Sequence, residues 1–307
     1  MALLEVNDLS ISFEQSAGWL RQRYIPVLHQ LQLTVDAGEV VAVLGASGAG
    51  KSLLAHAILG ILPSHARITG EMTYRGERLT PQRQAALRGM DIALVPQSVA
   101  YLDPLMPVGE QVRHAVKQGN KRERQRESFR LYRLGEEVER RYPFQLSGGM
   151  ARRVLVAAAT ASGARLIIAD EPTPGLDPDV MREALGRFRE LADVGCGVLL
   201  ISHDIASALT VADRIAVMYA GTVVEIARAA DFAGDGTALR HPYTRALWQA
   251  LPQNGFVPLP GEPPQLGERP HACAFASRCS AATDACLHEQ PPVRELRRGL
   301  VRCVHAS

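Results

Sequence analysis

Apolar residues in the first 35 positions come in short alternating runs, Leu4 and Val6, then Leu9, Ile11 and Phe13, and later Leu31, Leu33 and Val35, with polar residues between them. A period of two marks half-buried strands, so this stretch predicts antiparallel strands. Residues 40–44 are apolar throughout, as in a strand buried on both faces, and they end in a glycine-rich loop. Residues 52–62 follow with helical length and spacing and close at Pro63. The stretch 98–164 reads as mostly helical, with a charged segment at 121–141 and Pro143 ahead of a second glycine cluster. Residues 166–169 and 198–201 are short, apolar and rich in branched side chains, and a helical stretch at 179–192 separates them. Strands alternating with helices predict βαβ units, a parallel sheet and an α/β fold. After residue 235 the pattern breaks: residues 241–251 predict one short helix, and residues 252–270 hold six prolines and three glycines, as a linker does. No internal repeat is visible.

Composition narrows the class. The 307 residues are 47% hydrophobic, enough chain for about two domains and a sizeable core, which excludes a disordered or fibrous protein. With 34 basic and 32 acidic side chains the formal net charge is +2, so no electrostatic footprint for nucleic acid exists and none is expected as a partner. The basic run at 121–126 includes Glu123 and reads as a solvated helix face. No apolar stretch approaches the ~18 to 20 residues that span a bilayer. The amino terminus lacks a basic stretch followed by an apolar run, so a cytosolic location is expected.

The first glycine-rich loop reads Gly45-Ala46-Ser47-Gly48-Ala49-Gly50-Lys51-Ser52, which fits G-x-x-x-x-G-K-[ST] in the setting that motif requires, after a strand and opening a helix. The glycines, with Ser47 between them, let backbone N–H groups turn inward around the phosphates of ATP. The helix N-terminus adds its positive end, Lys51 reaches the β and γ oxygens, and Ser52 takes Mg²⁺. Lysine is scarce here, only Lys51, Lys117 and Lys121 against 31 arginines, so its place in the loop is not incidental. Downstream, the apolar run at 166–169 ends in Asp170 and Glu171. Adjacent residues at a strand end point to opposite sides. The first carboxylate is suited to hold Mg²⁺ through water and the second to orient the attacking water.

Between these motifs lies Leu146-Ser147-Gly148-Gly149-Met150, and with it the chain resembles the nucleotide-binding subunit of an ATP-binding cassette (ABC) transporter. The resemblance covers essentially the whole chain. It implies a P-loop NTPase core with an antiparallel β subdomain, a helical subdomain at about 98–164, a nucleotide-binding domain at 1–235 and a carboxy-terminal extension at 236–307. It also implies head-to-tail pairing, in which Ser147, Gly148 and Gly149 close over the ATP held by the partner. Gln97 resembles the glutamine that contacts Mg²⁺ and water and couples to the membrane subunits, Asp177 the aspartate that crosses the dimer interface, and His203 the histidine that senses the γ-phosphate. Tyr24 stands roughly where the family places its base-stacking aromatic; a strand-edge tyrosine is the alternative. Two positions depart from the common pattern. Leu53 replaces a second hydroxyl after Ser52, which keeps its own, and Met150 stands where many relatives have glutamine. Methionine there resembles the branch that transports oligopeptides, dipeptides and nickel, as do YLDPLMPVGEQ at 101–111 and His241-Pro242-Tyr243-Thr244-Arg245-Ala246-Leu247. The expected partners are a paralogous ATP-binding subunit or a second copy, two membrane permease subunits and an extracytoplasmic substrate-binding protein, with the chain peripheral on the cytoplasmic face of the inner membrane. The alternative is a soluble ABC-type ATPase in iron-sulfur assembly or DNA repair.

Four of the five cysteines, Cys273, Cys279, Cys286 and Cys303, crowd into the last 35 residues with the spacing C-x5-C-x6-C-x16-C on loop-like sequence. In a cytosolic chain such clustering points to a metal or cluster more than to disulfides. Structural zinc favours close C-x2-C pairs, which are absent, so the spacing leans toward a [4Fe-4S] cluster with Zn²⁺ or free thiols as the alternative. The peptide-transport branch carries a similar extension, associated in some members with an iron-sulfur cluster. His271 and His305 flank the segment as substitute ligands or exposed residues. Cys196, ahead of the run at 198–201, reads as a small buried hydrophobe.

Overall fold

The computed structural model describes residues 2–16, 22–264 and 272–306; His271 and the end of the proline-rich stretch lie outside the described residues. Strands β1 (Ala2–Ser16) and β2 (Gln22–Asp36) pair antiparallel and, with β4 (Ala66–Tyr74) and β5 (Glu77–Arg78), form a four-stranded sheet in the order β2-β1-β4-β5. The larger sheet is built on β3 (Val40–Gly45), β6 (Ile92–Val95), β7 (Leu166–Asp170), β8 (Gly197–Ser202) and β9 (Arg214–Tyr219), all parallel. Strand β10 (Thr222–Arg228) turns back antiparallel on β9, and the hairpin of β11 (Arg294–Leu296) and β12 (Gly299–Val301) adds to its edge. The strand order is β11-β12-β10-β9-β3-β8-β7-β6.

Because side chains alternate along a strand, the wholly apolar β3 feeds two cores. Val40, Ala42 and Leu44 join the core beneath helices α5 (Gly148–Ala161) and α6 (Pro178–Asp193), which contribute Val154, Ala157, Leu185 and Phe188. Val41 and Val43 face the other way, against helix α1 (Lys51–Leu59) and the four-stranded sheet, with Leu54, Ile58, Leu4 and Leu33. Helix α1 starts one residue before the pattern predicted and stops at Gly60 rather than Pro63, because Gly60 takes the left-handed conformation that ends a helix. Between β6 and β7 lie α3 (Val108–Ala115), α4 (Lys121–Leu131) and α5, packed on one another.

The carboxy-terminal segment is more ordered than its loop-like sequence suggests. Helix α8 (Pro242–Gln249) begins in His241-Pro242-Tyr243: the His241 Nδ1 accepts the Tyr243 N–H at 3.0 Å as an N-cap, and Pro242 supplies the fixed φ favoured in a first turn. Burial holds the His241 imidazole neutral, its pKa lowered to about 3. Cys286 lies in a short helix (Asp284–His288), and Cys303 follows two residues after β12. Three-residue strands are too short to show a period, which hides this hairpin in the sequence. The segment is anchored by a buried ion network. Arg240 donates to Glu225 at 3.1 Å, to Asp231 at 3.0 Å and to the Arg297 carbonyl at 2.9 Å. Glu225 also accepts the backbone N–H groups of Arg240 and His241.

Candidate functional site

The loop after β3 turns through Gly48 and Gly50, both at positive φ. A Cβ on Gly50 would lie 2.4 Å from the Leu28 side chain, so only glycine lets α1 start there. Lys51, the first residue of α1, is buried, and its Nζ donates to the Gly45 carbonyl at 2.9 Å and the Ala46 carbonyl at 3.1 Å. Burial pushes its pKa down, and the charges of Glu171 and Asp170 oppose that.

The opposite wall comes from the end of β7. Asp170 is buried, which raises its pKa; a hydrogen bond with Ser52 acts against the rise. Its Oδ1 is buried without a partner. At Glu171 the chain turns with φ of 46°, left-handed backbone that a glutamate adopts only under constraint, and the Glu171 N–H is held by the Ile201 carbonyl at 2.9 Å. This turn sends Glu171 into the cleft, with Oε1 4.0 Å from Lys51 Nζ and Oε2 3.1 Å from His203 Nδ1. Val27, Ser47, Gly48, Gly50, Lys51, Ser52, Gln97 and Glu171 line an open cleft of about 360 Å³.

Other residues singled out in the sequence lie elsewhere. Ser147 caps α5, its hydroxyl accepting the Met150 N–H at 3.3 Å. Gly148 and Gly149 open the same helix, and a Cβ on Gly149 would lie 3.3 Å from the Gly175 carbonyl, two residues before Asp177. Ser147, Gly148 and Asp177 are exposed, and none of the four lines the chain's own cleft. Tyr24 is 44% exposed, with the Arg67 guanidinium 5.6 Å from its ring centroid, and Val27 rather than Tyr24 lines the cleft.

One residue escaped sequence reasoning. Arg152, in the first turns of α5, is buried, and its Nη1 donates to the carbonyl of Pro96, the residue before Gln97, at 2.9 Å. Burial pushes its pKa down while Glu171 and Asp170 push it up. It ties the Gln97 loop to the helix that displays Ser147. The only signal was an arginine pair, Arg152-Arg153, ahead of an apolar run, which as readily marks a solvated position.

The four clustered cysteines are free thiols, as is Cys196. Cys196 is buried, which pushes its thiol up to about 11. Cys273 is pushed up first by burial and then by Cys286, Cys303 and Cys279, so the four share one neighbourhood. The Cys273 N–H donates to the Cys286 carbonyl at 3.0 Å, and Cys286 Sγ lies 3.3 Å from His305 Nε2. Among the described residues, no three His, Cys, Asp or Glu side chains stand in a metal-holding array.

Sequence models of two families match this chain, ABC transporter over residues 28–174 and the oligopeptide/dipeptide transporter C-terminal region over residues 224–286. It is 35% identical over 322 residues to the dipeptide transport ATP-binding protein DppD of Escherichia coli K12, covering 97% of this chain and 95% of that protein. The chain belongs to the ABC transporter family of ATP-binding proteins. It is also 36% identical over 314 residues to the oligopeptide transport ATP-binding protein OppD of Mycobacterium tuberculosis, where the match takes in 96% of this ABC protein but spans only 50% of the relative's length. Among solved structures, the ATP-binding cassette MJ0796, a dimer in a post-hydrolysis state with ADP and Pi, superposes with a TM-score of 0.66 at 26% identity, over 74% of this chain and 98% of that one. The P-loop ABC fold expected from the sequence is therefore the fold of this ABC protein, with its parallel sheet and antiparallel subdomain.

Proposed function

We propose that this chain is the ATP-hydrolysing subunit of an importer of dipeptides or oligopeptides. The observation that carries this is the convergence of Lys51, Ser52, Gln97, Asp170, Glu171 and His203 on one open cleft while Ser147, Gly148 and Asp177 are displayed outside it. Such a chain supplies half of each of two sites. Its phosphate loop holds one ATP, and its Ser-Gly-Gly helix start offers backbone N–H groups to the γ-phosphate of the ATP on a partner. Head-to-tail pairing with a paralogous ATP-binding subunit or a second copy satisfies both halves.

Mg²⁺ fits the cleft, because the orphaned Asp170 Oδ1 and the Ser52 hydroxyl supply hard oxygen donors, with Gln97 on the rim. Bound there it would neutralise charge on the β and γ oxygens. Within the chain, Lys51 binds the phosphates, Glu171 accepts a proton from the attacking water, and His203 orients Glu171 and contacts the γ-phosphate. Closure on ATP and reopening after hydrolysis drive two permease subunits that receive cargo from a substrate-binding protein. In this reading the chain acts from the cytoplasmic face, held by its permease partners; among the described residues no helix is long and apolar enough to cross a membrane.

The peptide assignment follows from the names of the relatives, and nickel or a metal chelate is the competing cargo of the same branch. Uptake of labelled dipeptide and labelled nickel, in cells carrying the wild type or Lys51→Ala, separates them. Loss of dipeptide uptake alone is expected. Loss of metal uptake alone would move the protein to the metal side, and no loss of either would favour the soluble ATPase.

The four thiols suit a [4Fe-4S] cluster in chemistry, though not in their present array. Gathered thiolates repel one another, and a bound cation removes that cost. Iron and acid-labile sulfide in the anaerobically purified complex, lost in Cys303→Ser, are expected; zinc in their place would support the tetrahedral site instead.

A further inference from the structure

Among the residues lining the cleft, only Val27 comes from β2, and its place depends on two irregularities in that strand. Along β1 and β2 the partners run Leu9 with Leu31, Ile11 with Leu28 and Ser12 with Pro26. β2 therefore carries one extra residue at 29–30 and a second at Val27. Each extra residue in a bulge shifts the alternation of side chains by one. Leu31, Leu33 and Val35 are buried at odd positions, and beyond the first bulge burial moves to Leu28. Leu28 packs against the start of α1, where a Cβ on Gly50 would lie 2.4 Å from it, and Val27 is left to line the cleft.

The first bulge is held from outside its own strand pair. Gln30 stands at φ of 42°, left-handed backbone that a glutamine adopts only under constraint. Its N–H donates to the Ser10 hydroxyl at 2.9 Å, and the His29 N–H donates to the Gly221 carbonyl at 2.9 Å. Gly221, in the turn between β9 and β10, packs so tightly on this segment that a Cβ there would lie 2.0 Å from the Val27 carbonyl. The carboxy-terminal extension supplies two more contacts. Arg302 Nη2 donates to the Gln30 carbonyl at 3.0 Å, and His29 Nε2 hydrogen-bonds the Gln290 Oε1 at 3.0 Å. Arg302 is buried, and its own N–H donates to the Val224 carbonyl of β10 at 2.8 Å, so the guanidinium extends from the edge of the main sheet.

We propose that Arg302 and Gln290 are positioning residues of the nucleotide site: by holding the β2 bulge at residues 29–30 they set Val27 as the apolar wall that meets the base and ribose of the nucleotide. The inference rests on the reading of the cleft as an ATP site and gives the carboxy-terminal extension a share in it. Lys51, Ser52 and Glu171 serve the phosphates, Mg²⁺ and the attacking water. Val27 offers no polar side-chain group, and an apolar side chain suits the face of a base or a sugar. Such a wall contributes most when it is in place before the ligand arrives, since ordering it on binding subtracts from affinity. A bulged strand with left-handed backbone does not hold that shape through its own ladder, which is the task left to Arg302 and Gln290.

The test uses the full transport complex and two probes, Mg-ATP and Mg-tripolyphosphate, which carries the phosphates without the nucleoside. Arg302→Met and Gln290→Leu each remove one hydrogen bond to the bulge at similar side-chain size. Both are expected to raise the Kd for Mg-ATP about threefold to tenfold, the effect of one hydrogen bond, and to leave the Kd for Mg-tripolyphosphate within about twofold. The ratio of the two constants is the readout that a loosened fold would not move. An unchanged Kd for Mg-ATP in either variant overturns the proposal, and so does an equal rise for both probes. Gln290 is half-buried at the surface, so if Arg302→Met fails to fold, Gln290→Leu decides alone. A wild type that binds both probes equally well shows that the nucleoside meets no wall, which overturns the proposal and leaves the phosphate loop standing. A wild type that binds neither overturns the ATP reading itself, and Lys51→Ala supplies the control that loses both.

Discussion

Glu171→Gln should lower ATP turnover about 10²- to 10⁴-fold, the range for removal of a general base, while ATP binding changes little. The geometry gives the reason. Glu171 lies 4.0 Å from Lys51 and 3.1 Å from His203, at the mouth of a cleft whose phosphate contacts come from Lys51 and the loop backbone. The substitution keeps the size of the side chain but replaces one carboxylate oxygen by an amide NH2 and removes the negative charge, so the base is lost. Lys51→Ala should behave differently, losing binding and turnover together, because the ammonium is the cation that the phosphates meet. Steady-state ATPase and equilibrium binding of ATP on the purified complex separate the two. Near-wild-type turnover in Glu171→Gln would remove Glu171 from its role, and retained binding in Lys51→Ala would undo the phosphate-loop reading.

Arg240→Met should have the largest effect on stability, about 3 to 5 kcal/mol, the range for breaking one side of a buried ion pair. Side-chain exposure is 1% for Arg240 and 0% for Glu225, so removing the guanidinium leaves a carboxylate in the interior that water cannot reach. Glu225 would still accept two backbone N–H groups, from Arg240 and His241, which keeps the loss from being larger. For a chain of this size the expected fall in Tm is about 10 °C. The network joins β10 to the start of α8 and, through the Arg297 carbonyl, to the β11-β12 hairpin. Early loss of the carboxy-terminal segment in limited proteolysis of the variant should therefore accompany the fall. A Tm within 2 °C of wild type would show that the network contributes to register but little to stability.

The site residues were unevenly legible. Gly45 to Ser52 could be read directly because a phosphate loop is contiguous, its turn, lysine and hydroxyl all set by local spacing. Asp170 and Glu171 were nearly as plain, since an apolar strand ending in two carboxylates has few other readings once that loop is present. The left-handed turn at Glu171 that aims its side chain at His203, with Lys51 also within 4.0 Å, is not a property any local pattern announces. For Tyr24 the sequence left two readings, a base-stacking aromatic or a strand-edge tyrosine, and an exposed ring beside Arg67 suits either.

The sequence by itself determined the α/β alternation, the phosphate loop, the order of the nucleotide motifs and the crowding of four cysteines near the carboxyl end. These are short-range properties, written in periods of two or 3.6 residues or in motifs of a few positions. Only the tertiary structure decided that Arg152 holds the Pro96 carbonyl, that Arg302 holds the Gln30 carbonyl and that β12 extends the main sheet at β10. Each joins residues tens to hundreds of positions apart. Such contacts follow from how the buried faces of separate elements pack together, and no local period records which arginine will find a carbonyl across the core.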